Sequence, residues 1–199
     1  MSKFNKTISL LLHPVFLPLV GCLVYLAYLP IELSLVQKKL VLFIVAGTTL
    51  VIPIVTLLIF RVIGYIKTLQ AETIEERKMP VLLMMVNYLF LGQVLKDLWQ
   101  LRELSVLAYA TAVGLVITWL LFKKGIKASL HMQGIMGLLG FLLVYGFKYG
   151  FNVKGIVALI LVAALLAKAR LELKAHTMNE VVIGSLMGVG FPVVLNLFL

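Results

Sequence analysis

Charged side chains make up only 13% of the 199 residues, against about a quarter in an ordinary soluble domain, and just 8 residues are acidic. The first shortage excludes a water-soluble globular domain. The second leaves too few carboxylates for the clusters that divalent-metal phosphatases require, so no metal and no other cofactor is expected. Cysteine occurs once, as Cys22 within an apolar run, which excludes a disulfide framework and a Cys-based metal site. Low-complexity stretches, long polar linkers and internal repeats are also missing, so residues 1–199 read as one domain. What fills the chain is apolar: 62% of residues are hydrophobic and the mean hydropathy is +1.11. That surplus has to face lipid, which predicts an all-α, polytopic transmembrane bundle. The net charge of +10 would suggest nucleic acid in a soluble chain. Here most of it lies in short loops between apolar runs, where phosphate groups and lipid headgroups are the expected partners and nucleic acid is not.

A spanning helix needs about 20 apolar residues. The runs that qualify or approach this are Ile8 to Leu29, Leu40 to Ile63 with a kink at Pro53, Pro80 to Leu95, Leu104 to Phe122, Ser129 to Phe147, Val153 to Ala167 and Thr177 to Leu199. They predict about seven spans, or six. With seven, the polar segments Lys67 to Lys78, Lys123 to Ala128 and Lys168 to His176 emerge on one membrane face. Small residues on the fifth and seventh runs, Gly134, Gly137 and Gly140 with Gly184 and Gly188, predict close helix approach. Trp99 and Trp119 lie near run ends as interface anchors, and His13 beside Pro14 is assigned to packing or an interfacial role. Basic residues favour the motif face in number, but the bias is slight once those available to bind phosphate are set aside. Both orientations therefore stay open.

The chemistry concentrates in the three segments sharing that face. In the last, His176 and Glu180 stand four apart, one helical turn from each other, so the carboxylate can take the Nδ1 proton and leave Nε2 as a lone pair. Glu180 heads an otherwise apolar helix, where a charge is costly unless paired or functional, and Arg170 is a further partner. The alternative is an interfacial polar cluster that merely ends the helix. In the middle segment, Ser129 and His131 open the fifth run, where unpaired backbone N–H groups make an anion site; the alternative is a capping serine beside an interfacial histidine. In the first, Arg77 and Lys78 precede Pro80. Such cations either contact headgroups or set topology.

Taken together, the three segments resemble the type-2 phosphatidic acid phosphatase superfamily, which includes lipid phosphate phosphatases and vanadium haloperoxidases. Its signatures are, in order, Lys-x6-Arg-Pro, Pro-Ser-Gly-His and Ser-Arg-x5-His-x3-Asp. The third is matched by Ala169-Arg170-x5-His176-x3-Glu180, with Gly184 following. The second is matched by Ala128-Ser129-Leu130-His131, with proline and glycine replaced. The first is altered: Arg77 stands three before Pro80, and Lys67 precedes Arg77 by ten residues instead of seven. The likeness spans about residues 67–184.

The resemblance implies metal-independent phosphoryl transfer. His176 would attack phosphorus and form a phosphohistidine, Glu180 would orient and balance it, and His131 would protonate the leaving group. Arg77, Lys78, Ser129 and Arg170 would bind the phosphate oxygens. The implied substrate is a membrane lipid phosphate or diphosphate such as phosphatidic acid, phosphatidylglycerophosphate, undecaprenyl diphosphate or a lipid A type glycolipid, and the implied setting is a bacterial inner membrane. Two other readings stand beside it. One is a lipid-phosphate transporter or flippase that releases no phosphate, and the other is a non-catalytic membrane scaffold on the same fold.

Overall fold

A computed structural model describes residues 3–28, 33–98 and 101–198. All the regular structure among them is helical: α1 (Lys3–Leu11), α2 (Leu17–Tyr28), α3 (Leu35–Ala46), α4 (Ile52–Val62), α5 (Ile74–Lys96), α6 (Arg102–Phe122), α7 (Leu130–Tyr149), α8 (Val153–Glu172) and α9 (Met178–Phe198). A π-helical turn over Gly47–Val51 fuses α3 and α4 into one element. Five elements are long and apolar enough to cross a membrane: Leu35–Val62, α5, α6, α7 and α9. The chain is a helical membrane protein.

The first apolar run departs from expectation. It is not one helix from Ile8 but two, broken over residues 12–16. Pro14 lacks the N–H that would continue α1 and pushes His13 out of helical geometry. Pro18 is tolerated because it stands in the first turn of α2. Leu29, Trp99 and Leu199 lie outside the described residues. The expected kink at Pro53 takes the form of the π turn just before it, and Asn87 of α5 donates to the Thr48 carbonyl there at 2.6 Å. α8 carries Lys154, Lys168, Arg170 and Glu172, which keep it out of the five apolar spans. It still runs the length of the bundle, from the connection after α7 back to the end where α7 begins.

α7 and α9 pack most closely. A β-carbon at Gly184 would stand 2.5 Å from the Ser129 carbonyl oxygen, one at Gly188 the same distance from that of Gln133, and one at Gly140 2.7 Å from that of Val189. The small residues thus let two backbones touch, as their spacing predicts. The consequence is positional: α9 is held with Glu180 directly beside the start of α7. A larger apolar core joins α2, α5 and α6 through Tyr25, Leu91, Leu95 and Ala108, and a smaller one joins α7, α8 and α9 through Ile135, Leu166 and Val181.

Candidate functional site

The site is assembled by two helix starts. Thr73 and Glu76 form a capping box at the head of α5, Thr73 Oγ1 accepting from Glu76 N at 3.2 Å and Glu76 Oε2 from Thr73 N at 3.3 Å. Thr177 and Glu180 repeat the arrangement at the head of α9, at 3.3 and 3.0 Å. Glu180 therefore does begin its helix, but the capping box uses one carboxylate oxygen only. Oε1 accepts from Lys127 N at 3.0 Å, and the Glu180 carbonyl accepts from Ser129 N at 3.0 Å. These bonds clamp the α6–α7 loop onto α9.

His176 sits in this clamp, with its side chain 1% exposed. Its Nδ1 lies 3.0 Å from the Lys127 carbonyl oxygen and 3.3 Å from Glu180 Oε2. Both neighbours are acceptors, so Nδ1 carries the proton and the neutral ring keeps a lone pair on Nε2. That Nε2 is buried and has no hydrogen-bond partner among the described residues. Burial first, then the charges of Arg77 and Arg170, hold His176 down to about 4, with Glu180 opposing them. The imidazole is neutral at pH 7.

Three cations surround the ring. Arg77 Nε donates to the Ala71 carbonyl at 2.7 Å, and Ala71 is held in the left-handed region at φ 45°. Lys127 Nζ donates to the Glu72 carbonyl at 3.1 Å, so the α4–α5 loop is pinned from two sides. Burial foremost and Arg77 next lower Lys127 below the ordinary lysine value. Arg170 Nη1 donates to Ser9 Oγ at 3.1 Å, while its buried Nε has no partner among the described residues. Against Arg77, Lys127 and Arg170 the cluster sets Glu180 at bonding distance, with Glu72 and Glu76 close enough for their charges to bear on Arg77. A cation-lined, partly unsatisfied cluster of this kind has the donors that a phosphate-sized anion would need.

Of the expected site residues, Arg77, Ser129, His131, Arg170, His176 and Glu180 are gathered at one end of the bundle. Lys78 is not brought in: its ammonium is held by Glu75 at 2.7 and 2.8 Å on an exposed face of α5. Consecutive helical residues point about 100° apart, so Arg77 and Lys78 cannot both face one pocket. Ser129 is fully buried and caps α7, its Oγ accepting from Met132 N at 3.5 Å. Leu130, where glycine stands in the resembled signature, packs into the apolar core instead of filling the cluster. Lys67 is exposed, with its backbone N–H on Glu76 Oε1 at 3.0 Å.

Two residues enter that sequence reasoning did not place here. Ser9 of α1 accepts from His131 Nε2 through its carbonyl at 3.1 Å, in addition to its bond with Arg170. His13 stacks edge-on against His131 with ring centroids 5.1 Å apart. Its place beside Pro14 at a helix break was the one visible signal for it.

A cavity of about 210 Å³ reaches the edge of the cluster and runs into the apolar interior; among the described residues, its lining does not include His176, Glu180, Arg170, Lys127 or Ser129. Arg77, His13 and His131 line one end, and Val81, Met84, Tyr88, Leu91 and Leu95 carry it along α5. From residue 77 to residue 95 a helix rises about 27 Å, close to the depth of a bilayer core. No protein-family model, no curated protein and no solved structure matches the chain.

Proposed function

We propose that this chain is an integral membrane phosphatase of the type-2 phosphatidic acid phosphatase kind, acting on the phosphate or diphosphate of a membrane lipid in a bacterial inner membrane. The observation that carries the reading is the His176 ring: Nδ1–H is fixed by a carbonyl and a carboxylate, and Nε2 is left buried, unprotonated and unpartnered among guanidinium groups. An imidazole held in this way is an activated nucleophile.

In the proposed reaction the Nε2 lone pair attacks phosphorus while the bond from phosphorus to the lipid oxygen breaks. His131, as the imidazolium that the arriving anion favours, gives the leaving oxygen its proton. Arg77 and Arg170 neutralise charge on the phosphoryl oxygens, and Glu180 balances the cationic phosphohistidine through Nδ1–H. Water then attacks phosphorus, His131 takes its proton, and the P–N bond breaks to return neutral His176 and inorganic phosphate. Ser129 acts by capping and seating α7, so that its part in the reaction is positional.

The lipid part of the reading is supported by the cavity, which meets the site at Arg77 and His131 and continues into apolar wall. A phosphate can sit among the cations while its tail stays in a hydrocarbon environment. The test is phosphate release from a panel of lipid phosphates in detergent, comparing the intact chain with His176→Ala at equal folding yield. Release that is lost in the variant and survives excess chelator is expected. No release from any lipid by well-folded protein would exclude hydrolysis and leave binding or transport.

A further inference from the structure

α1 takes no part in that chemistry, yet it is bound to the groups that do. Asn5 and Ser9, four apart and so on one face, are 6% and 8% exposed, whereas Phe4, Leu10 and Leu11 are 64%, 65% and 68% exposed. A helix that buries Asn5 and Ser9 while exposing Phe4, Leu10 and Leu11 alongside Lys3 and Lys6 is suited to lying at a lipid surface, apolar side chains in the acyl region and ammonium groups at the headgroups. Its polar face is held by three bonds: Asn5 Nδ2 to Glu172 Oε2 at 2.5 Å, Arg170 Nη1 to Ser9 Oγ at 3.1 Å, and His131 Nε2 to the Ser9 carbonyl at 3.1 Å. Two of the three engage site residues.

The manner of engagement matters. A carbonyl can only accept, so His131 Nε2 is a donor here, and Arg170 is a donor by nature. Ser9 thus offers one oxygen to each of the two groups that would otherwise hold phosphate oxygens. Its carbonyl belongs to the last turn of α1, where carbonyls lack intrahelical partners and the helix end is partly negative. The site is filled by a weak imitation of an anion.

We infer that α1 is a strap which occupies the phosphate site with the two oxygens of Ser9 and lifts when a phosphate group replaces them. The inference rests on reading the cluster as a phosphate site, and needs no hydrolysis. A dianion is a far better acceptor for Arg170 and His131 than a neutral hydroxyl and carbonyl, so exchange favours the ligand. The break over residues 12–16 supplies the hinge, and Phe4, Leu10 and Leu11 keep the lifted helix at the lipid surface.

The experiment reads thiol exposure and does not depend on turnover. With Cys22→Ala removing the native thiol, Ser9→Cys and, separately, Asn5→Cys are placed in phosphatidylcholine vesicles and labelled with a water-soluble maleimide. Lys6→Cys, exposed on the same helix, is the reference. Without phosphate, Cys at 9 or 5 is expected to label at least about tenfold more slowly than at 6. Phosphatidic acid in the vesicles in one arm, and inorganic phosphate alone in the other, are each expected to bring the rate to within about threefold of the reference. An effect confined to phosphatidic acid names a lipid headgroup as the displacing ligand, and an equal effect names the phosphate itself. Rates that ignore both anions at both positions, or that match the reference from the start, overturn the strap. Faster labelling without phosphate release keeps the strap and removes the phosphatase; release with flat labelling does the reverse.

Discussion

Each end of the bundle sets a carboxylate at the start of a helix, Glu103 buried and Glu180 half-buried, and the two clusters are finished differently. At the end away from the site, Glu103 of α6 is 3% exposed and receives Tyr25 Oη at 2.8 Å, Lys148 Nζ at 2.5 Å and Tyr149 Oη at 3.2 Å. That cluster ties α2, α6 and α7 together and is satisfied from within. At the other end Glu180 is equally well bonded, but the groups beside it are not: His176 Nε2 and Arg170 Nε are buried with no partner among the described residues. A buried polar atom left unpaired costs about 1–3 kcal/mol, and a native structure keeps such atoms where a ligand completes them. The complete cluster reads as a tie and the incomplete one as a site. The sharpest way to break this contrast is to delete a key side chain from each. His176→Ala should cut phosphate release per folded molecule by a thousandfold or more, as loss of a nucleophile does. A variant that keeps its rate removes the phosphohistidine.

Glu103→Ala should do the opposite. Stripping one partner from a fully buried ion pair costs about 3–5 kcal/mol, but the Lys148 side chain is 47% exposed and can return to water. What remains is the stranded Tyr25 hydroxyl, so the expected loss is about 1–3 kcal/mol. Denaturation in detergent would show it, with turnover per folded molecule unchanged. A fall in turnover at equal folding would join the two ends of the bundle functionally and undo the distinction between them.

Much of the site end was legible in the sequence because it is built from local spacing. His176 and Glu180 meet as i, i+4 neighbours, and Gly184 and Gly188 permit the contact that brings Ser129 alongside. Reading the three polar segments together expected Arg77, Ser129 and Arg170 to share a site, and the fold brings all three to the cluster around His176 and Glu180. What stayed hidden came from distance. Ser9 reaches His131 across 122 residues and Arg170 across 161, with no motif at either end. Two further departures were local and readable. Thr73 and Glu76 mark a helix start, so Arg77 and Lys78 lie on a helix and not in a polar loop. Pro14 marks a break in the first apolar run.

Acid should separate the clusters more gently. His176 ordinarily titrates near 6.5 and is held to about 4 in the folded chain, so between these values the unfolded chain binds the extra proton. Stability therefore rises with pH across that window and is lost as pH falls from about 6.5 towards 4. Denaturation midpoints followed from pH 7 to pH 4.5 should fall, and His176→Asn should lessen the slope, part of which remains because burial first and the charge of Arg170 next hold His13 down to about 4 as well. Glu103→Ala should leave it in place. An unchanged slope in His176→Asn would mean that the ring is not held neutral by its burial among cations.

The smallest effect is expected one residue from one of the largest. Arg77 and Lys78 look equivalent in sequence, but Arg77 Nε is fastened to the Ala71 carbonyl and its charge bears on His176, whereas Lys78 is 40% exposed and paired with an exposed Glu75. A surface pair of this kind is worth about 0–1 kcal/mol, so Lys78→Ala should change stability by less than that and leave turnover within about twofold. Arg77→Ala removes the donor proposed for the phosphoryl oxygens and should cost about a hundredfold in turnover. Parallel kinetics on the two variants test the helical register itself. Equal losses would require both side chains at the phosphate, which a helix beginning at Ile74 does not allow, whereas a loss confined to Arg77 would fix the face of α5 that belongs to the site.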